Sequence, residues 1–192
     1  CPRIIVSGTN RLSNLNVSYV SQTPAVPTAG TAPAAAPAAG NPLGFLGALL
    51  DQILAGGTAY SRVWDWARFQ GQPQTEETTD MHCVTTWSRY DNRWAGVSTR
   101  DLMAAVRPRE DAAFVVLGSY DGYTTNLPLS DFAAPEAMLV HSWEGRPLAK
   151  EHGGPVRLLV PHLYLWKSAK WLRSIEFRTA DQPGYWEVRG YH

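Results

Sequence analysis

A chain of 192 residues with 44% hydrophobic content and eight tryptophans carries enough apolar surface for the core of one ordinary domain. Its 17 basic residues balance 17 acidic ones, so no overall field draws it toward nucleic acid or an anionic membrane, and any cationic site must be local. The two cysteines, Cys1 and Cys83, lie far apart, which argues against a disulfide framework and leaves Cys83 as a free thiol.

Upstream, Ile4 to Val6 and Leu15 to Val20 have the composition of weak strands, although their polar neighbours give them no coherent face. Residues 22–42 form an uncharged Pro/Ala/Gly/Thr tract with too few large apolar groups to offset the entropy of ordering, which predicts a disordered linker. Within 43–55, Leu46, Leu49, Leu50, Ile53 and Leu54 recur at helical spacing and Gly56-Gly57 follows as a stop, so a short amphipathic helix is expected there. Gly44, Gly47, Asp51 and Gln52 interrupt that run, the most apolar in the chain, and it is too short to span a bilayer.

The texture changes near residue 60, dividing a low-complexity segment over 1–60 from a domain over 61–192. In chain order the domain's pattern predicts a helix at Trp64 to Phe69, a strand at Glu77 to Thr85, and a helix at Thr99 to Val106 opened by Ser98 with Asp101 three residues on. Strands follow at Ala113 to Leu117, Tyr123 to Leu127, Ala137 to Trp143, Val156 to Val160 and Lys170 to Phe177, with turns at Asp121-Gly122 and Glu144-Gly145. Short helices among many strands define an α+β class.

Two stretches have the composition of a site. In Met81-His82-Cys83-Val84-Thr85-Thr86-Trp87-Ser88, a lone thiol stands among hydroxyl and imidazole groups, which suit a thiolate that binds a soft metal or attacks an electrophile. A buried structural Cys is the plain alternative. From His152 through Trp171 no acidic residue occurs, while Arg157, Lys167 and Lys170 all do, and Arg173 follows before Glu176. Gly153 and Gly154 let backbone approach a ligand, Arg offers a planar fork, and small Ser168 and Ala169 can expose amides, so a phosphate-bearing small molecule is the expected ligand. A solvated basic face anchored by Trp166 and Trp171 would have the same composition. Phosphate-binding glycine loops, paired zinc-spaced cysteines and haem-attachment patterns are absent from the sequence.

Taken together, HCVTTWSRYDNRWAGVSTRDLM (82–103), GYTTNLPL (122–129), HGGPVRLLVPHLYLWKSAKWL (152–172) and PGYWEVRGYH (183–192) resemble the sulfite oxidase-like molybdopterin-binding oxidoreductases. The resemblance is greatest to the bacterial single-domain branch, similar to the catalytic subunit of protein-methionine-sulfoxide reductase. It implies a fold of mixed β-sheets with short helices and a molybdenum-molybdopterin cofactor. It also places the metal ligand on Cys83, ahead of Trp87-Ser88, and cofactor contacts on His82, His152, Arg157, Ser168, Ala169 and Lys170. Tyr123 to Asn126 would shape the substrate pocket, with Tyr123 beside the catalytic centre. Animal and plant sulfite oxidases carry an arginine shortly after the ligand Cys, where this chain has Trp87 and Ser88 with Arg89 next, which disfavours sulfite itself.

The implied activity is oxygen-atom transfer on a small sulfur- or nitrogen-containing substrate, either S-oxide reduction or sulfite-type oxidation. Electrons would pass through an external haem- or quinone-linked protein, because the chain has no haem or iron-sulfur motif of its own. Two other readings stand beside it: a cofactor-free interaction module, since residues 1–60 do not match the segment that begins the domain in relatives, and a Cys83 nucleophile with His82 as base. Cytoplasm is the expected compartment for want of a visible export signal; the periplasm is the alternative, because the chain opens on Cys1 and not Met.

Overall fold

Strand alternation and turn chemistry shape this chain into two sheets with a shared core. The computed structural model describes residues 15–20 and 61–191, so the linker expected at 22–42 and the helix expected at 43–55 lie outside the described residues. In chain order the elements are β1 (Leu15–Val20), β2 (Ser61–Trp64), α1 (Trp66–Gln70), β3 (Thr75–His82), β4 (Ser88–Ser98), α2 (Thr99–Val106), β5 (Phe114–Ser119), β6 (Thr124–Pro128), α3 (Leu129–Phe132), β7 (Met138–Trp143), β8 (Arg146–Pro147), β9 (Arg157–Leu159) and β10 (Leu172–Arg178). Single 3-10 turns occupy Lys150–His152, Leu165–Lys167 and Glu187–Arg189.

One five-stranded sheet runs β2-β1-β10-β5-β6; the other runs β3-β4-β7-β8, with β9 also paired to β7. The first sheet is mixed, because β1 lies parallel to β10, with Asn16 opposite Ser174 and Val20 opposite Arg178. Thus Leu15–Val20, in the segment set apart ahead of the domain, is an interior strand between β2 and β10. Partners on both edges supply the pairing that its irregular alternation could not announce.

Local signals hold where their chemistry is explicit. Asp65 caps α1 by accepting from the Arg68 N–H at 2.8 Å. Ser98 caps α2, accepting from the Asp101 N–H at 3.0 Å while its hydroxyl donates to Asp101 Oδ2 at 2.7 Å. The Glu144-Gly145 turn has positive φ at both residues, 51° and 71°, as a tight two-residue hairpin requires.

Period-two alternation on β7 divides the interior. Leu139 enters the larger core with Val97, Leu117, Leu158 and Phe177. Met138 and Val140 point the other way, into a smaller cluster with Met81, Trp94, Leu148 and Leu159. Strand β9 repeats the split: Leu158 belongs to the larger core, so Arg157 and Leu159 share the opposite face. Gly96 in β4 is obligatory for this packing, because a Cβ there would sit 2.0 Å from the Leu139 carbonyl oxygen and 2.7 Å from Val140 Cα. Two strands meet at van der Waals limit where the β4–β7 register shifts, His141 being the extra residue on β7.

Candidate functional site

On the face of the second sheet turned from the larger core, a cavity of about 610 Å³ opens between Met81, Trp94 and Trp143 on the strands and the segments around Ser119, Tyr123 and residues 165–171. Six tryptophans line it: Trp87, Trp94, Trp143, Trp166, Trp171 and Trp186. Such walls are apolar and rigid, the usual form of a small-molecule site, with orientation left to a few polar groups.

Those polar groups are cationic at one end. Arg157 is only 5% exposed although it lines the cavity. Its Nε donates to Leu158 O at 3.3 Å, Nη1 to His152 O at 3.0 Å and Nη2 to Ser168 O at 2.9 Å. With five N–H groups on a guanidinium, one remains on each terminal nitrogen. Among the described residues Arg157 makes no ion pair, and burial holds its pKa down from 12.5 to about 10. Lys170 is the neighbouring cation: its ammonium donates to Glu151 O at 2.8 Å, and burial together with the Arg157 charge depresses its pKa. Two positive charges in a partly dry pocket, neither ion-paired among the described residues although Asp121 also lines the cavity, favour an anionic occupant beside them.

Backbone economy explains the loop that holds them. Gly153 has φ 105°, and a Cβ there would lie 2.8 Å from Lys170 Cγ, so glycine is what lets the Lys170 stem pass. Ser168 works through both ends: its hydroxyl accepts from the Val160 N–H at 3.0 Å and its carbonyl fixes Arg157. Ala169 lines the cavity beside it and accepts from the Leu158 N–H at 2.9 Å. His152 lends its carbonyl to Arg157 while its ring stands edge-on to Trp143 at 5.4 Å.

Tyr123 borders the opposite end, its hydroxyl donating to Trp166 O at 2.6 Å. Burial, and then the Glu187 charge, raise its pKa, so the phenol stays protonated across the physiological range. Behind it, Glu187 Oε1 accepts from Lys167 Nζ and Thr125 Oγ1, both at 2.6 Å. Burial alone would raise the Glu187 pKa; the hydrogen bonds from Lys167 and Thr125 outweigh that and hold it below the ordinary carboxylate value.

Of the residues singled out from sequence, Tyr123, His152, Arg157, Ser168, Ala169 and Lys170 line this one cavity. Cys83 and His82 are not among its lining residues, although Met81, Trp87 and Arg89 of the same hairpin are. Strand β3 ends at His82, so Cys83 opens the β3–β4 turn instead of closing a strand as the alternation predicts. Cys83 N–H donates to Trp87 O at 2.9 Å and its carbonyl accepts from the Thr86 N–H at 3.0 Å, with Thr86 at φ 70°, an uncommon value for a β-branched residue. The thiol is half-buried, 3.0 Å from Thr85 Oγ1, and His82 Nδ1 meets Ser88 Oγ at 2.8 Å. The rings and thiol therefore have separate partners, which removes the basis for a His82–Cys83 base–nucleophile pair.

Arg89, Trp94, Trp143 and Trp186 escaped the sequence reading. Arg89 lies 4.2 Å over the Trp143 ring and makes no ion pair among the described residues, yet in sequence it is one charge in a mixed run. Trp94 Nε1 and Ser119 Oγ, on two residues of the cavity wall, are themselves sealed from solvent and have no hydrogen-bond partner. An anion such as a phosphate would satisfy the two spare Arg157 N–H groups. The cations and aromatic walls of this cavity suit an anionic small molecule.

The chain belongs to the family described as the oxidoreductase molybdopterin binding domain, whose model matches residues 53–186. It is 50% identical over 120 residues to the uncharacterized oxidoreductase YuiH of Bacillus subtilis (strain 168), an alignment covering 62% of this chain and 61% of that one. It is 31% identical over 109 residues to rat mitochondrial sulfite oxidase, covering 52% of this chain and 20% of that enzyme. With the protein-methionine-sulfoxide reductase catalytic subunit MsrP of Ralstonia nicotianae it shares 26% over 131 residues, covering 60% of this chain and 39% of the subunit. The chain therefore spans at most about three fifths of these relatives' own length. Among solved structures, the sulfane dehydrogenase SoxCD from Paracoccus pantotrophus has the same fold, with TM-score 0.57 at 19% identity over 62% of this chain and 36% of that one.

Proposed function

We propose that this domain binds a molybdenum-molybdopterin cofactor and performs oxygen-atom transfer on a small sulfur- or nitrogen-containing substrate, S-oxide reduction first among such reactions. The observation that carries the reading is Arg157: a buried guanidinium on a cavity wall, with no carboxylate partner among the described residues and one N–H to spare on each terminal nitrogen. Burying an unpaired charge is costly unless an anion completes it.

Arg157, Lys170 and the backbone around Ser168 and Ala169 would hold the phosphate end, and His152 would border it. Cys83, on the hairpin that sends Trp87 and Arg89 into the cavity, is the thiolate assigned to the metal, with His82 beside it. When bound, the cofactor supplies two-electron exchange of an oxygen atom. The chain's own part is to orient and to exclude water. Tryptophan walls lower the local dielectric around the bound anion, and Tyr123 stays neutral with its proton committed to Trp166 O. An S-oxide would be reduced with two electrons from an external haem- or quinone-linked protein and two protons, leaving the sulfide and water. Among the described residues no helix is long and apolar enough to cross a membrane.

The test is protein produced with an intact cofactor pathway and assayed with reduced benzyl viologen and S-oxides. Metal, pterin and turnover together support the reading. A folded product without metal would favour the cofactor-free module instead.

A further inference from the structure

The segment 181–191 lies as a strap along β6 and past the cavity. Gly184 sits so close to β6 that a Cβ would be 2.5 Å from the Thr124 carbonyl oxygen and 2.6 Å from Thr125 Cα. Tyr185 N–H donates to that carbonyl at 2.9 Å, and Asn126 Nδ2 donates to Asp181. The main fastening is Glu187. Its Oε1 accepts from Lys167 Nζ at 2.6 Å, Thr125 Oγ1 at 2.6 Å and the Asn126 N–H at 3.3 Å, whereas Oε2 is buried with no partner. One oxygen carries every contact, so the fastening has no redundancy.

Trp186, the residue before Glu187, lines the cavity and is 37% exposed, one part facing the interior and the rest solvent. It is held edge-on between Tyr185 at 5.0 Å and Tyr191 at 5.2 Å. Tyr191 leans on Trp166, a second lining residue, at 6.3 Å. The backbone turns tightly here, with Val188 N–H on Gly184 O at 3.2 Å and Gly190 N–H on Glu187 O at 3.0 Å. An indole at the N-cap of a three-residue 3-10 turn has little freedom while the neighbouring carboxylate is tied down.

We propose that Glu187 latches this strap across the cavity and that Trp186, carried on it, sets the breadth of substrate admitted. Glu187 is then a positioning residue and Trp186 a specificity-determining one. The choice of substrates for the test rests on the S-oxide reading; the latch does not.

Hydrogen exchange tests the latch without any ligand. In Glu187→Gln the amides of Tyr185 and of 188–191 should exchange at least about tenfold faster, while those of β5 and β10 keep their rates. Unchanged strap rates, or an equal acceleration everywhere, would overturn the latch. The breadth claim is read from cofactor-loaded protein as the ratio of kcat/KM for methyl p-tolyl sulfoxide to that for dimethyl sulfoxide. Trp186→Ala should raise this ratio by about tenfold or more, and Trp186→Phe by less. An unaltered ratio in both variants would refute the role of Trp186. If the loaded wild type reduces neither sulfoxide, the functional reading is what has failed. The same ratio is then taken from binding of the two sulfoxides by saturation-transfer NMR, with the same shift required.

Discussion

Replacing Arg157 with Met separates what the guanidinium does for the fold from what it does for a ligand. Its three bonds to backbone carbonyls contribute roughly 3–5 kcal/mol in all, at a little over 1 kcal/mol each. Against that stands the burial that lowers its pKa from 12.5 to about 10, equivalent to roughly 3 kcal/mol of charge desolvation. The two nearly cancel, so the cofactor-free variant should lose no more than about 2 kcal/mol of stability in urea unfolding. The loaded protein has a larger loss to suffer. Removing one charge-assisted bond from each terminal nitrogen, at about 1.5–3 kcal/mol apiece, should weaken cofactor binding by roughly 10² to 10⁴. The assay is molybdenum and pterin retained after dialysis, set beside urea unfolding of cofactor-free protein. Retention at the wild-type level, with a cofactor-free stability loss well above 4 kcal/mol, would make Arg157 a structural residue only and refute the reasoning.

Other perturbations have equally definite outcomes. Cys83→Ser should abolish turnover and remove one sulfur scatterer from the molybdenum X-ray absorption spectrum while leaving near-UV circular dichroism unchanged, because the half-buried thiol's side-chain hydrogen bonding is to Thr85 Oγ1, which a serine hydroxyl can also meet; retained turnover would contradict the thiolate role. Gly96→Ala should destabilise by roughly 3 kcal/mol or prevent folding, since the new methyl would press on backbone of β7 that cannot move aside; a urea midpoint like wild type would show the strands less tightly opposed. Burial lowers the His141 pKa below its ordinary value, with Trp66 and Phe69 edge-on to the ring and Gln74 Oε1 at 3.0 Å from Nε2. The unfolded chain then binds the extra proton first, so stability should fall as pH drops below about 6.5, and His141→Gln should flatten that slope. Equal slopes in the two proteins would exclude this residue as the cause.

Much of the fold was legible because its signals are local. The Ser98 cap, the helix it opens at Thr99–Val106, the Asp121-Gly122 and Glu144-Gly145 turns, and the apolar strands around Val116, Val140 and Leu158 all declare themselves within a few residues. Strand β4 did not. Its first half, Ser88 to Asp91, is polar and exposed, and its ladder with β3 is bulged at Tyr90-Asp91, so only pairing with β3 and β7 makes it a strand. The same holds for β1, which is defined by its neighbours and not by a face of its own.

At the site, the cationic end was readable because a gap in acidic residues survives in one dimension: Arg157 and Lys170 are near each other in sequence and in space. The aromatic walls were not. Trp87, Trp143 and Trp186 come from a hairpin, a strand and the strap, and nothing in their spacing brings them together before the chain folds. Glu187 was hidden for the opposite reason: it meets Lys167, twenty residues upstream, only once the strap lies along the β6 edge.

The cavity beside Arg157 is proposed to hold a pterin-bound metal. Elemental analysis for molybdenum, with fluorometry of the released pterin, on protein made with a working cofactor pathway tests this most directly. Near-stoichiometric metal and pterin in the wild type, both falling away in Arg157→Met, is the result foreseen. A folded, monodisperse wild-type protein carrying neither would contradict it.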